Sequence, residues 1–287
     1  APPKGRNAPL EEEYDMTMLQ RFRRYARVLF AASAMMILAI ATAEAEVHFV
    51  TQEGGEGTKD GISWTTAYDE AAFPAAILSA GSGDEIRIKA GVYRPSTVNV
   101  TTVSFVLKNG VAVYGGFAGT EASSADRNPA ANTTDLTGDL ANDDTHDANG
   151  VTVNAVNISG DNSLCVVSAD SGCGQTTVLD GFTITAGKNT AGGGGMFNNN
   201  SSPTVTNCAF SGNTATNGGG MNNTNSRPTV TNCAFSGNAA TKWGGGMFND
   251  AGSPTVTNCA FLGNSAKTTG GGMYNVNGSS PTVTDCA

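Results

Sequence analysis

Acid–base or metal chemistry on a repeating chain needs charged side chains that recur at one repeat position, so that successive copies set them side by side. In residues 191–287 the acids are Asp250 and Asp285 and the bases are Arg227, Lys242 and Lys267, and neither set shares a repeat position. Upstream, the stretch Asp135–Gly150 (DLTGDLANDDTHDANG) carries Asp139, Asp143, Asp144 and Asp147, oxygen ligands of the kind calcium takes. Their spacing departs from the D-x-[DN]-x-[DN]-G loop and no glutamate closes it, so a solvated insertion is expected there. His48 and His146 stand far apart without partner motifs, which supports neither a metal site nor a triad. Gly192–Gly195 lacks the Lys-Ser/Thr of a phosphate loop and reads as turn residues. No catalytic, cofactor-binding or metal-binding residue is assigned.

The elements that would have to position any site are set by an internal repeat. PTVTNCAFSGN starts at Pro203 and again at Pro228, PTVTNCAFLGN at Pro254 and PTVTDCA at Pro281, in steps of 25, 26 and 27 residues. Between them a Gly-Gly-Gly-Met block ends at Met196, Met221, Met247 and Met273, in steps of 25, 26 and 26. Each unit holds three short strand-like pieces with alternating character, around Val205, around Phe210 and at Met196–Asn198. Such pieces are too short to pair within a unit but can pair with their copies in the next one. The fold expected is an all-β, right-handed parallel β-helix, a solenoid with three strands per coil. Val205, Val230, Val256 and Val283 should form one inward row, Phe210, Phe235 and Phe261 a second, and the four methionines a third. Asn207, Asn232 and Asn258 suit a left-handed turn and could bond along the stack, with Asp285 breaking the row.

Six cysteines follow the same logic. Cys208, Cys233, Cys259 and Cys286 occupy one inward position of successive coils and read as free thiols filling the core, since parallel side chains on adjacent rungs suit a disulfide poorly. Cys165 and Cys173 lie outside that row, and a local disulfide and two thiols are equal alternatives for them. No CxxC with a nearby histidine suggests a metal.

Four regions are expected. Residues 1–15 read as an upstream or disordered tail ahead of Met16 and Met18. Residues 16–45 read as a signal peptide: LQRFRRYAR, then a 14-residue apolar run at 28–41, then Ala41, Ala43 and Ala45 as small-residue cleavage positions. That run is shorter than the roughly 20 residues of a spanning helix. Residues 46–190 read as an N-terminal cap and degenerate coils, with short strands at Val47–Val50, Glu85–Ile88, Ser104–Leu107, Val111–Tyr114 and Thr177–Ile184. Ser63–Ala80 is the helix candidate, limited or kinked by Pro74, and would lie over the first coil with Trp64 packed in the cap. Residues 191–287 are the regular repeats, stopping at Cys286-Ala287 in mid-unit, which predicts a fragment whose last coil would fray or associate.

The net charge of −9, only 14% charged residues and 37 glycines exclude a nucleic-acid surface and argue for short strands joined by tight turns. EVHFV…DGISWTTAYDEAA…GDEIRIKAGVYRPS, VAVYGGFAGTE and VLDGFTITAG resemble the N-terminal part of bacterial secreted β-helix proteins of the pectin-lyase-like superfamily. The FSGN and GGGM pairs resemble the FxxN and GGA repeats of chlamydial-type polymorphic outer membrane proteins, with a third glycine for alanine and methionine for the aliphatic residue. The resemblance implies export and this fold. It implies no single activity, because the fold hosts adhesins, lyases and hydrolases. Its lyases use clustered acids on calcium with a basic residue, and its hydrolases use paired aspartates, and neither column is present in residues 191–287. Arg87-Ile88-Lys89 spells the RIK of pectin hydrolases without their other motifs and reads as an early strand with exposed charges. A secreted or cell-surface, adhesin-like module binding carbohydrate or protein through its coil face is expected, with no cofactor and no span in the mature part. The alternative is a polysaccharide lyase or glycoside hydrolase.

Overall fold

A three-residue Thr-Val-Thr strand leaves every backbone N–H and C=O unpaired unless another strand lies alongside. In the computed structural model, which describes residues 44–169 and 171–287, the partner is always the equivalent strand one coil away. The expectations for the 1–15 tail and the apolar run 28–41 fall outside those residues. The described chain from Ala45 to Ala287 belongs to one compact unit.

Three parallel sheets run along the solenoid. The first has eight strands, beginning with Val47–Val50, Glu85–Lys89, Ala112–Phe117 and Val178–Asp180 and ending with Thr204–Thr206, Thr229–Thr231, Thr255–Thr257 and Thr282–Thr284. The second and third have six each; the second includes Ala209–Ser211 and Ala234–Ser236, the third Met196–Asn199 and Met221–Thr224. A fourth sheet not foreseen in the sequence, of Thr214–Asn217, Ala239–Trp243 and Ser265–Ala266, occupies the bend between the second and third. Its residues vary from copy to copy, which hid the pattern. The expected strand Thr177–Ile184 is divided into Val178–Asp180 and Thr183–Thr185 by Gly181, whose φ of +87° turns the corner between two sheets.

Register follows the repeat residue for residue. Val205 pairs with Val230, Val230 with Val256 and Val256 with Val283. Met196, Met221, Met247 and Met273 align in the same way. The rings of Phe210, Phe235 and Phe261 stack at 4.8 Å and 4°, the separation of neighbouring strands, so backbone spacing and ring contact agree. Each fully buried phenylalanine contributes roughly 2–3 kcal/mol of burial. Gly195, Gly220 and Gly246 make room for this row: a Cβ on Gly220 would lie 2.5 Å from Gly246 O and 3.0 Å from Phe235 Cδ1.

Three asparagine ladders run along the axis, two at turns and one within the strands of the third sheet. Asn207, Asn232 and Asn258 adopt φ of 50°, 54° and 51°, and Asp285 follows at 53°. Asn213, Asn238 and Asn264 form a second ladder, and Asn198, Asn223, Asn249 and Asn275 a third, each amide donating to the next residue's carbonyl oxygen at 2.7–3.0 Å. Asn198 Oδ1 is buried without a partner because the rung before it carries Ala169, which has no amide to donate.

The cap differs from expectation. The α-helix spans only Phe73–Ser79, with Pro74 in its first turn, where its missing N–H costs nothing. Its Phe73 ring packs 4.8 Å from Phe105 and 5.8 Å from Tyr93. Residues Trp64–Thr66 form a 3-10 turn instead. The open edge of Val47–Val50 is covered by backbone: Phe49 N donates to Gly61 O at 2.8 Å and Tyr68 N to Phe49 O at 2.9 Å. Residues 61–68 are thus used as a partner for that edge, which a helix could not supply. Trp64 packs as expected, 4.7 Å from Phe49 and 5.4 Å from Phe117, with Nε1 donating to Glu121 O.

Candidate functional site

A broad groove follows from the turn between the first and second sheets. Ala209, Ala234 and Ala260 form a floor of small side chains, the Asn207–Asn232–Asn258 ladder runs along one side, and the segment from Ser124 to Thr134 forms a wall. The groove encloses about 900 Å³. Asn258 Nδ2 donates to Asn232 Oδ1 at 2.8 Å, Asn232 to Asn207 at 3.2 Å, and Asn207 to the Asp180 carboxylate at 2.9 Å. This ladder runs opposite to the other two, so its last donor meets a negative charge.

Arg127 holds the wall. Its guanidinium donates to Gly115 O at 2.9 Å and Asp180 O at 3.2 Å, pairs with the Asp180 carboxylate and lies 5.0 Å from the Tyr114 ring centre. Both charged side chains are only 11% exposed. The pair is committed to the scaffold, leaving amides, hydroxyls, alanine methyls and the carboxylate of Asp285 to face a ligand.

The charged residues of the repeats are not gathered. Asp250 ends a third-sheet strand, Asp285 sits in a first-sheet turn, and Lys242 lies 5.7 Å over the Trp243 ring. Arg87 corrects the reading of an exposed-charge strand: it is buried and donates to Glu85 at 2.8 and 3.0 Å and to Ala122 O at 2.8 Å, while Lys89 is exposed. Gly193 does turn the chain, at φ +72°.

Both histidines acquire carboxylate neighbours that sequence distance concealed. His48 Nε2 lies 3.5 Å from Asp84 and 4.0 Å from Glu46, because strand pairing sets residues 46–50 beside 84–88. His146 Nε2 lies 2.9 Å from Asp139. Of the four acids considered for calcium, Asp139 and Asp144 come together with His146, whereas Asp147 caps a local turn through Asn149 N and Val151 N. The stretch is no freely solvated insertion: Asp139 is fully buried, and Thr185 Oγ1 in the second sheet donates to Thr152 O at 2.8 Å.

The cysteine ladder is formed by free thiols. Cys208, Cys233, Cys259 and Cys286 each point a thiol at the carbonyl two residues earlier, at 3.1–3.3 Å. Hydrogen bonding with Cys208 and Cys259, then burial, raises the Cys233 pKa, which keeps that thiol protonated and inert. Cys165 and Cys173 are buried and direct their sulfurs to different carbonyls, Val167 O and Leu107 O.

No curated protein matches the chain. The crystal structure of pectate lyase Pel9A is similar at a TM-score of 0.43 and 13% identity, over 83% of this chain and 61% of that one. The chain therefore spans about three fifths of that protein's length. The family model described as right handed beta helix region matches residues 141–287, which takes in the regular coils, the groove floor and its asparagine ladder, and the chain belongs to that right-handed β-helix family.

Proposed function

We propose that this chain is a secreted or cell-surface binding module that holds a carbohydrate or protein ligand on its coil face without transforming it. The observation that carries this reading is the groove along Asn207, Asn232 and Asn258, in which the acid and base at one end, Asp180 and Arg127, are consumed in a mutual ion pair. A floor of alanines flanked by repeated amides suits an extended ligand with repeated hydroxyls or backbone groups, which meets the same chemistry at every rung. Elimination or hydrolysis of a glycosidic bond needs positioned carboxylates or a free base, and among the described groove residues those groups are engaged elsewhere or stand alone.

Incubation of the purified module with pectin, alginate and related polymers separates the two readings. Retention on an immobilised polysaccharide or surface protein, without release of unsaturated or reducing ends, is the expected result. Release of such ends by the purified module would establish a lyase or hydrolase instead. For export, residues 16–50 fused to a reporter active only outside the cytoplasm should give signal.

A further inference from the structure

Two buried carboxylates face each other in the segment that crosses the second sheet. Asp139 is 0% exposed and Asp144 8%, and ligand atoms of Asp139, Asp144 and His146 all lie within 4.8 Å of one another. Among the described residues neither carboxylate pairs with a lysine or arginine. The nearby Arg94 donates through Nε to the Asp139 backbone oxygen and through Nη2 to Asn142 instead. Burying two such groups without cations is costly. Hydrogen bonds answer part of that cost: Asp139 accepts from Asp143 N and Asp144 N, and Asp144 from Thr152, Ser159 and Asn162.

A separate observation points to a missing ligand. Asn162 is 3% exposed, and its Oδ1 is buried with no hydrogen-bond partner. Its Nδ2 donates to Asp144 Oδ2 at 3.0 Å and to Ala186 O at 2.9 Å, which fixes the amide's orientation. Covalent geometry then leaves the orphaned Oδ1 within roughly 5 Å of the Asp144 carboxylate. An acceptor buried there with no donor is suited to a cation.

We infer that Asp139, Asp144 and His146, with Asn162 Oδ1 beside them, form a structural site for a divalent cation. One imidazole nitrogen among oxygen ligands fits a first-row ion such as zinc or manganese better than calcium, which prefers oxygens throughout. The ion would tie Asp139, at the end of a second-sheet turn, to Asp144, His146 and Asn162 in the segment that folds back across that sheet. It would thereby hold the contacts of Thr152 with Thr185 and of Ala155 N with Gly237 O.

The full chain, stripped with a chelator, is titrated with zinc, manganese and calcium chlorides by calorimetry, with thermal unfolding and proteolysis of residues 141–160 as parallel readouts. One zinc or manganese ion per chain, a raised Tm and slower cleavage of that segment are expected. His146→Ala, whose side chain is 21% exposed, should fold normally and weaken binding at least tenfold, as should Asp144→Asn. His48→Gln, in the Glu46–His48–Asp84 group, should leave binding unchanged. The assignment is overturned if no ion binds stoichiometrically, if calcium alone binds and ignores His146→Ala, or if His48→Gln rather than His146→Ala abolishes binding.

Discussion

The Asn207 amide donates to the Asp180 carboxylate at 2.9 Å, and this contact joins the outer asparagine ladder to the ion pair that carries the groove wall. Four residues thus act in series: Asn258, Asn232 and Asn207 hand one hydrogen bond along the axis, and Asp180 shares its charge between the last of them and Arg127. Replacing Arg127 with alanine should leave Asp180 buried without its cation. A loss of about 3 kcal/mol is expected, read as a lower urea midpoint, together with faster proteolysis within residues 118–133.

Asn232 combines two roles that substitution can separate. Its φ of 54° is a left-handed conformation, and its amide both donates and accepts within the ladder. Asn232→Gly should keep the turn and lose only the ladder bonds, costing about 0.5–1.5 kcal/mol. Asn232→Ala should cost about 1–2 kcal/mol more, because alanine adds the left-handed strain. Equilibrium unfolding of the two variants checks the order; equal losses would show that backbone conformation contributes nothing here.

Gly220→Ala tests the close approach of successive coils. The added methyl would meet Gly246 O at 2.5 Å and the Phe235 ring at 3.0 Å, and both neighbours are fixed by pairing and stacking. A loss of about 2–4 kcal/mol is expected, measurable as a drop in Tm. Gly174→Ala, where φ is likewise not positive and a Cβ would meet only Asn109 Oδ1 at 3.8 Å, has no such clash and serves as the comparison.

Asp135 should give the stability a pH slope of unusual sign for a carboxylate. Burial, followed by the charge of Asp147, pushes its pKa from 3.8 up to about 6, against a hydrogen bond from Thr183 that lowers it. An acid whose folded-state pKa is raised stabilises the fold while protonated and loses that contribution as pH rises through the folded value. The loss therefore falls between about pH 4 and 6 and amounts to at most about 3 kcal/mol. Asp135→Asn should remove this slope and be the more stable form at pH 7.5. Urea midpoints of both proteins at pH 4.5 and 7.5 give the comparison, and parallel curves would rule the effect out.

Periodicity in the chain specifies the solenoid, its coil length and the register of its valine, phenylalanine, methionine and cysteine rows. In a solenoid the spatial neighbour of a residue is its own copy 25–27 positions on, so periodicity in the chain is already a contact map. The same logic reached the left-handed asparagines, because PTVTN places Asn207 at a bend that L residues other than asparagine and glycine adopt at a cost. It stopped where the repeat stops. The 3-10 turn and extended backbone of residues 61–68 were decided by the unpaired edge of Val47–Val50, a tertiary demand that outweighed the helical composition of the segment. The fourth sheet leaves no periodic trace in the sequence because its strands differ in every copy. The pairing of Arg127 with Asp180, of His48 with Asp84, and of Asp139 and Asp144 with His146 and Asn162 joins residues from non-equivalent positions. No spacing rule links them; only the folding of irregular loops against the coils brought those charges together, and burial there made their pairing obligatory.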